Sequence, residues 1–548
     1  MAADSPARSD SSSLDEKMSK SDVNGIADEA LNSEKHVAED TAEATTQYTE
    51  EQYAALVRRF DRFLLPIMWI CYGVQQADKT GLSTQVCIKE DTHLRGQQYS
   101  WLSTIFYISY LCCEFPSNWV MQRINIGRTL SVLMLIWGVI VLCTAFAENW
   151  AHLMVLRTLQ GAAECTISPA FLLIVGAFYT RREHTLRALI WGTANAGFGI
   201  ITDLCMYFIA KHAQEAGGLA PWKAISFFLG GMTIVLSFFA FFLLGTPREV
   251  LWLSPEQKRM AAARVAANKT GSDRLKRYWN TSQALSVFRD PQTIFFFVVN
   301  FVNNLPNGGT TSFGNLVYVS FGFSNLEVLV KGNIPRSAFS IVFFLFVGWV
   351  NLKWTGLRFW IMMASVVPSL VGMLATALLP DDPSIRWTKW GMYFMTVTGN
   401  VSGPLMWTMV PSNVAGRTKK TVMSSIMFVA YCVGNAIGAQ IFRAEDAPRY
   451  VPAIISCGVL YCVQFVLMFL WRSYYVWENR RRDRAAEAAG ISPEERERLG
   501  MINAENDMTD VENVQCVSPP FLRFLPSLTL FLLASAMRCE ERACGRCC

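Results

Sequence analysis

The chain has 548 residues, of which 52% are hydrophobic and only 17% are charged, and its mean hydropathy is +0.24. A soluble protein of this length usually carries about a quarter charged residues, so the composition indicates a membrane protein that crosses the bilayer many times. The net charge is +5, but residues 1–50 alone carry four basic and twelve acidic residues, which argues against a nucleic-acid-binding arm.

The first predicted element is an acidic, polar tail over residues 1–58, which has no signal peptide and few aromatic residues. We predict that this tail is disordered and cytoplasmic. The 15 cysteines show neither metal-ligand spacing nor the framework of a secreted domain, and ten of them are scattered through apolar stretches. No metal or other cofactor is therefore expected.

Twelve apolar windows follow the tail, and most are long enough to cross a hydrocarbon layer of roughly 30 Å. In chain order they are 62–86, 98–121, 129–147, 151–178, 185–210, 222–245, 292–321, 335–352, 358–379, 388–411, 421–442 and 451–476. A basic linker at 247–290 separates the first six from the last six, and Ser254-Pro-Glu-Gln257 within it predicts the capping box of a short helix. If the N-terminus is cytoplasmic, the internal loops are rich in Lys and Arg, so we predict that both termini are cytoplasmic.

The pattern predicts an all-α membrane protein with twelve transmembrane helices in two six-helix bundles, at 59–246 and 291–478. A repeat supports this division: Trp119-Val-Met-Gln-Arg123…Arg128 follows the second window, and Trp349-Val-Asn-Leu-Lys353…Arg358 follows the eighth. A cytoplasmic tail at 479–548 completes the chain. For its apolar, Cys-rich segment 516–548, a thirteenth span, a palmitoylated end and a gene-model artefact stay open, and we favour the artefact.

Several motifs resemble a known family. They are the loop after the second span, Arg157-Thr-Leu-Gln-Gly161, Glu114-Phe-Pro-Ser-Asn118, Asn304-Leu-Pro-Asn-Gly-Gly309, Ser412-Asn-Val-Ala-Gly-Arg-Thr-Lys-Lys420 and Tyr431-Cys-Val-Gly-Asn-Ala-Ile-Gly438. The first two resemble signatures of the major facilitator superfamily. The other four together resemble the allantoate permease family, within the anion:cation symporters of that superfamily. This resemblance, from about residue 55 to 478, implies the major facilitator fold and import of a small, mostly anionic nutrient such as a ureide, a vitamin or another carboxylate.

Ionisable side chains inside the predicted spans are the sharpest functional signal, because each costs several kcal/mol when it is unpaired in lipid. Lys79 lies on a polar stripe of the first helix with Gln75 and Gln76, so we predict that it contacts an anionic substrate. The related family also has a basic residue after Asp at this place. The alternative is a structural ion pair between Lys79 and a carboxylate on another helix.

Glu164 and Asp78 are the candidates for proton coupling, together with Arg157. Arg157 and Glu164 share a face of the fourth predicted helix but lie about 10 Å apart along its axis, too far for direct pairing. A carboxyl in a partly desolvated site can load and release a proton near physiological pH, and we favour Glu164 as the carrier. The resemblance to anion symporters implies the same two protonation sites. The alternative is that Arg157 and Asp78 form a buried pair that only holds helices together.

Structural or gating roles are predicted for four other charged residues. Asp203, on a face of small residues, is expected to pair with Arg157 or Lys79. Glu114 is expected to lock the following loop through Arg123 or Arg128 rather than to contact substrate.

The seventh predicted span carries a continuous amide face at Asn300, Asn303, Asn304 and Asn307, followed by Pro306 and Gly308-Gly309. We predict that this face either binds substrate near the membrane midplane or forms hydrogen bonds between helices, and the two options are balanced. Asn400 and Asn435 are weaker substrate-binding candidates.

Nothing in the sequence suggests an enzyme, since there is no nucleotide-binding loop and no catalytic triad. The prediction is a multi-pass protein of the bilayer, in the plasma membrane, that imports a small organic anion together with protons and binds no nucleic acid. Two alternatives stay open: an exporter of a small metabolite, and a nutrient receptor that binds without net transport.

Overall fold

The computed structural model describes residues 48–84, 88–180, 192–266, 279–354, 356–492 and 508–513, together with positions 183, 187, 190 and 495. All of the regular secondary structure within these residues is helical. Most of the predicted acidic tail and the Cys-rich segment 516–548 lie outside the described residues.

The described part of the first half contains seven long helices and one short helix of four residues, Ile88–Asp91. The long helices carry the labels α1 to α7. They are α1 (Glu50–Thr84), α2 (Gln98–Arg123), α3 (Ile126–Thr144), α4 (Trp150–Glu164), α5 (Ile167–Phe178), α6 (Ala194–Ala216) and α7 (Pro221–Leu243). Local sequence sets several ends: the Asn149 side chain accepts a hydrogen bond from the His152 amide at the start of α4, and Gly217 ends α6 with a φ of +66°. The predicted window 151–178 is occupied by α4 and α5 in succession.

The linker and the second half contain nine more labelled helices. They are α8 (Pro255–Ala266), α9 (Thr281–Arg289), α10 (Pro291–Ser320), α11 (Ile334–Lys353), α12 (Arg358–Leu378), α13 (Arg386–Phe394), α14 (Ser402–Asn413), α15 (Arg417–Ile441) and α16 (Val451–Ala488). A 3₁₀ stretch at Met395–Val401 joins α13 to α14, so the predicted window 388–411 is broken in its middle. The capping box before α8 is confirmed, because the Gln257 amide donates to Ser254 Oγ at 3.2 Å and the Ser254 amide donates to Gln257 Oε1 at 3.2 Å.

Seven helical stretches among the described residues are long and apolar enough to cross a membrane. They are Ile126–Thr144, Trp150–Phe178, Pro221–Leu243, Asn325–Asn351, Arg358–Leu378, Arg417–Ile441 and Val451–Ala488. The other five predicted windows lie on α1, α2, α6, α10 and α13–α14, which carry the polar residues that the sequence singled out and are less apolar for that reason. The total of twelve spans and the side of the termini stay predictions.

Helix pairs pack most closely where small residues allow their backbones to approach. In the second half, α10 packs along α15, and a Cβ placed on Gly438 would lie 2.1 Å from the Leu305 carbonyl oxygen. A Cβ on Gly308 would lie 2.3 Å from the Asn435 carbonyl oxygen. Gly438 is therefore a position where the two backbones pack closely.

The two halves of the chain meet through the pairs α2–α15, α6–α11 and α1–α10. At one end of the molecule these contacts are dense, and we call residues 88–104, 310–321 and 436–450 the closed end. Tyr99 Oη donates to the Ser312 carbonyl oxygen at 3.0 Å, and Thr104 Oγ1 donates to the Ala436 carbonyl oxygen at 2.9 Å. Further from the closed end, α2 and α15 are joined by the ring contacts Tyr107–Tyr431 and Tyr110–Phe428.

Candidate functional site

The centre of the candidate site is an ion pair between α1 and α4. Lys79 Nζ lies 3.2 Å from Glu164 Oε1, the Glu164 side chain is completely buried, and the Lys79 side chain is 13% exposed. Gln75, one helical turn before Lys79, donates from Nε2 to the Glu164 carbonyl oxygen at 3.5 Å. The predicted polar stripe of α1 therefore faces α4 and brings an ammonium and a carboxylate together away from bulk water.

A second polar centre surrounds the neighbouring residue on α1. The buried Asp78 carboxylate accepts hydrogen bonds from Trp137 Nε1 on α3, at 2.7 Å, and from Gln160 Nε2 on α4. Arg157, one turn before Gln160, is buried close enough to act on Asp78 electrostatically. No ion pair joins these two side chains within the residues that the structure describes, so the pair proposed from the sequence is electrostatic rather than direct.

Aromatic side chains lie beside the Lys79 ammonium and connect it to the second half. Its Nζ lies 5.1 Å from the centre of the Tyr110 ring on α2, a distance at which a cation is attracted to an aromatic face. Tyr107, one turn away on the same helix, contacts Tyr431 of α15 with ring centres 6.1 Å apart. The sequence analysis missed these rings, although Tyr107, Tyr110 and Glu114 are spaced to share one face of α2.

Glu114 lies in this site and not at the loop where the sequence placed it. Its Oε2 is buried without a hydrogen bond in the described part of the chain, and the charge that acts on it most strongly is that of Lys79. The expected lock with Arg123 or Arg128 is therefore wrong for the described residues. Arg123 instead lies 4.0 Å above the Trp119 ring, and Arg128 is exposed.

The loop between α2 and α3 is held by a residue that the sequence analysis did not name. The Glu249 carboxylate accepts hydrogen bonds from the amides of Ile126, at 3.2 Å, and Gly127, at 2.9 Å. These amides are free donors at the start of α3, where a carboxylate is favourable. Glu249 follows α7, so this contact ties the end of the first half to its middle.

Asp203 faces the other half of the molecule. It is buried on α6 and hydrogen-bonds to Asn333, directly before α11, rather than to Arg157 or Lys79 as expected. One turn earlier on α6, a Cβ on Gly199 would lie 3.7 Å from Ser337 Oγ of α11. Asp203 therefore belongs to the contact between the halves, and the expected pairing is wrong.

The amide face of α10 is used mainly to pack α10 against α15. Asn300 Nδ2 donates to the Met427 carbonyl oxygen at 2.6 Å, Asn435 Nδ2 donates to Asn304 Oδ1 at 3.2 Å, and Asn307 Nδ2 donates to Asn435 Oδ1 at 2.9 Å. This is the interhelical bonding that the sequence left as one of two options. Asn303 and Asn307 are half-buried, whereas Asn300 and Asn304 are buried.

The remaining substrate-binding candidates lie apart from the contact between α10 and α15. Asn303 points away from α15, because its Oδ1 accepts from Gln464 Nε2 of α16 at 2.8 Å. Asn400 is exposed in the 3₁₀ break between α13 and α14. Gln76, on α1, is half-buried beside the Lys79 stripe.

The sequence analysis also missed a cation in the second half. Arg336, on α11, lies with its guanidinium 5.9 Å from the centre of the Tyr393 ring and beside the Tyr318 side chain. No carboxylate pairs with it within the described residues. It lies at the start of the predicted window 335–352, in the first turn of α11, where a charged residue is expected at the end of a span and does not indicate a site.

The charges around Lys79 do not balance. Asp78, Glu114 and Glu164 bring three carboxyl groups, whereas Lys79 and Arg157 bring two cations, so the cluster carries one excess negative charge when all are ionised. Removing such a charge from water is costly. A single proton on one carboxyl group makes the cluster neutral, and a site of this composition is therefore suited to take up one proton. No group of side chains that could hold a metal ion occurs among the described residues.

Comparisons with known proteins agree with this architecture. Residues 68–439 match the family model described as Major Facilitator Superfamily. An uncharacterized transporter of Schizosaccharomyces pombe is 32% identical over 84% of this chain and 88% of its own length. The allantoate permease of Saccharomyces cerevisiae is 29% identical over 85% of this chain and 86% of its own length.

Solved structures give the same fold. A bacterial homolog to the human lysosomal transporter Spinster, in an inward-facing and occupied conformation, superimposes with a TM-score of 0.58 at 13% identity and covers 76% of this chain and 97% of its own. At that identity the similarity concerns the fold alone. Together, these matches confirm the resemblance that the sequence motifs indicated.

Proposed function

Since the chain belongs to the major facilitator superfamily, we propose that it is a secondary transporter that imports a small organic anion together with a proton. The observation that carries this proposal is the Lys79–Glu164 pair, in which a shielded ammonium is held by a carboxylate that a substrate carboxylate could replace. The chain is a transporter and not an enzyme by family, so the proposal concerns the cargo, the coupling and the direction.

Coupling follows from competition for one ammonium group. When Glu164 is ionised, it occupies Lys79 and repels a second carboxylate. When Glu164 is protonated, Lys79 is free to bind the substrate, and the net charge of the site with its cargo is the same as before. Proton and anion therefore favour the same loaded state, which is the thermodynamic requirement for symport.

Aromatic contacts link the loaded site to the second half. Tyr107 and Tyr110 lie between the Lys79 pair and the residues Phe428 and Tyr431 of α15. A change in the charge or volume of the site therefore acts directly on the surface where the halves meet. We propose that the two halves rock about this surface, with twelve spans, six in each half, and with both termini cytoplasmic.

For the cargo, we propose a ureide, a vitamin or another small carboxylate, which Lys79 would recognise by its negative group. The similarity to an allantoate permease supports the ureide class as the first to test. We further propose that the protein acts in the plasma membrane, which the similarity to a permease supports.

The test is uptake of labelled allantoate, nicotinate and pantothenate by cells that lack their own carriers for these compounds. We expect accumulation of one of them above the external concentration, and loss of this accumulation when a protonophore collapses the proton gradient. Replacement of Lys79 by Gln should abolish uptake, because the shielded cation that attracts the anion is lost.

The matched control is Lys211→Gln, which removes a half-exposed lysine that lies towards the end of α6 and pairs with Glu215 of its own helix. This variant should transport like the wild type. Binding without accumulation would instead favour a receptor, and faster loss from preloaded cells would favour an exporter. Wild-type uptake by the Lys79→Gln variant would refute the proposed role of Lys79.

A further inference from the structure

A basic groove lies on α16, away from the transport site. It has a volume of about 350 Å³ and is lined by Arg472, Ser473, Val476, Trp477, Arg480, Arg481 and Arg484. Four of the seven lining residues carry a guanidinium and none carries a carboxylate. The groove therefore suits a ligand with a negative, oxygen-rich group.

The arginines that line the groove are incompletely neutralised by the protein. Arg481 pairs with Glu478 at 2.9 Å, and the same carboxylate also accepts from Arg482. Arg480 and Arg484 are exposed and form no ion pair within the described residues. At the deeper end of the groove, Arg472 Nε is buried and has no hydrogen-bond partner among those residues. A buried donor of this kind indicates a missing acceptor.

The groove lies at the level where α16 leaves the apolar layer. It begins just before the end of the predicted twelfth window at residue 476. Two large indole rings, Trp477 and Trp360, are 57% and 49% exposed beside it, and the Arg472 guanidinium lies 4.5 Å from the centre of the Trp360 ring. Exposed tryptophans at helix ends are typical of the interface between acyl chains and headgroups.

An apolar stripe on the same face of α16 runs into the groove. Val466 and Leu470 are each 49% exposed, and Ser473, Trp477 and the arginines at 480–484 follow at helical spacings of three and four residues. A molecule with an acyl chain along the stripe would therefore place its polar head among the guanidinium groups. A soluble phosphate would use the arginines but not the stripe.

We propose that this groove binds the headgroup of an anionic phospholipid, whose acyl chain lies along Val466 and Leu470. The phosphate oxygens accept hydrogen bonds from Arg472 and from the arginines at 480–484, because the planar guanidinium matches the geometry of a phosphate group. Basic clusters at the end of a membrane helix recognise anionic lipids in the same way. The site is separate from Lys79 and does not depend on the identity of the cargo.

The test uses the purified full chain in lipid nanodiscs and native mass spectrometry of the lipids that stay bound. Phosphatidylserine is compared with phosphatidylcholine of the same acyl chains, and glycerophosphoserine, which has the headgroup without the chains, serves as a soluble competitor. Wild-type protein should retain phosphatidylserine in preference to phosphatidylcholine. Since each arginine near a membrane surface contributes roughly a five-fold preference for anionic lipid, Arg480→Gln with Arg484→Gln should lower the preference by about 25-fold.

Two further variants make the result specific. Arg472→Gln removes the buried donor and should also weaken the preference. Arg95→Gln with Arg443→Gln removes two exposed arginines at the closed end and should leave it unchanged. The proposal is overturned if phosphatidylcholine binds as well as phosphatidylserine, if glycerophosphoserine displaces the lipid efficiently, or if the groove variants retain the wild-type preference.

Discussion

Replacement of Glu164 by Gln tests the coupling mechanism most directly. The amide keeps the size of the side chain but can neither hold a negative charge nor carry a proton. In the wild type, Glu164 Oε1 lies 3.2 Å from Lys79 Nζ, and the Glu164 side chain is completely shielded from solvent. The substitution therefore fixes the site in the charge state that we assign to the protonated, substrate-ready form.

The size of the effect follows from this geometry. Two unit charges 3.2 Å apart attract each other by about 5 kcal/mol at an effective dielectric constant of about 20. This energy is an upper bound on how much the ionised Glu164 can weaken the binding of a substrate carboxylate to Lys79. Hydrogen bonds to charged groups contribute about 1.5–3 kcal/mol net. The Glu164→Gln variant should therefore bind the anion about 10- to 100-fold more tightly at alkaline pH, where the wild-type carboxylate is ionised.

The assay compares net uptake with exchange of internal for external substrate in membrane vesicles, using the carboxylate that wild-type cells accumulate. We expect the variant to keep exchange but to lose uphill, pH-dependent uptake, since no proton can accompany the cargo. Glu215→Gln, at an exposed pair on α6, is the matched control and should behave like the wild type. Uphill uptake that keeps the wild-type pH dependence in Glu164→Gln would show that the proton travels on another group.

Three other substitutions test separate contacts. Trp137→Phe removes the 2.7 Å hydrogen bond to the buried Asp78 and should lower the free energy of unfolding by about 1–3 kcal/mol. An unchanged melting temperature would contradict this. Asp510→Asn removes the carboxylate that accepts hydrogen bonds from Lys419 Nζ, at 2.9 Å, and from the Ala415 amide, at 3.0 Å. Hydrogen exchange at the Ala415 amide should therefore accelerate, whereas the control Val511→Ala, at an exposed position, should leave it unchanged. Burial lowers the pKa of Lys89, in the closed end, to about 8. The closed end should therefore become more stable as the pH rises from about 8 to 10.4, and Lys89→Met should abolish that pH dependence.

The sign of the Lys89 prediction follows from proton release. The exposed lysine keeps its proton up to a pKa of about 10.4, whereas in the closed end burial favours the neutral amine. Closing therefore releases a proton and is favoured by alkaline pH, although Lys89 Nζ lies 4.2 Å from the centre of the Tyr99 ring. Spin-label distances across the closed end at pH 7.5 and 9.5 give the measurement, and a shift toward the open form at pH 9.5 would reverse the conclusion.

The amino-acid sequence alone determined the helical elements and the residues that share a face on each one. Apolar windows located the helices because a span must bury its backbone and present apolar side chains to lipid. Spacings of three, four and seven residues placed Gln75 with Lys79 on one face of α1, and that relation is local to the helix. The ionisable residues within the predicted spans of the first half were visible in the sequence, whereas Arg336 in the second half was missed.

Only the tertiary structure decided which helix covers each polar face. Helical periodicity fixes the direction of Glu114 relative to Tyr110, but the packing of α2 along α4, whose Glu164 pairs with Lys79, brings Glu114 to Lys79 rather than to Arg123. The amide face of α10 is equally polar whether a ligand or a helix lies against it. The small residues of α15 allow the backbones of α10 and α15 to approach closely. Most of the amide face therefore forms hydrogen bonds with Asn435 and with the backbone of α15.

The longest-range contacts were beyond any local pattern. Asp203 meets Asn333 across the two halves, and Asp510 returns from the C-terminal region to the buried Lys419. These partners are separated by 130 and 91 residues, and no periodicity connects positions so far apart in the chain. Their pairing depends on how whole helices pack, because a buried charge is satisfied by whichever complementary group the fold brings within reach.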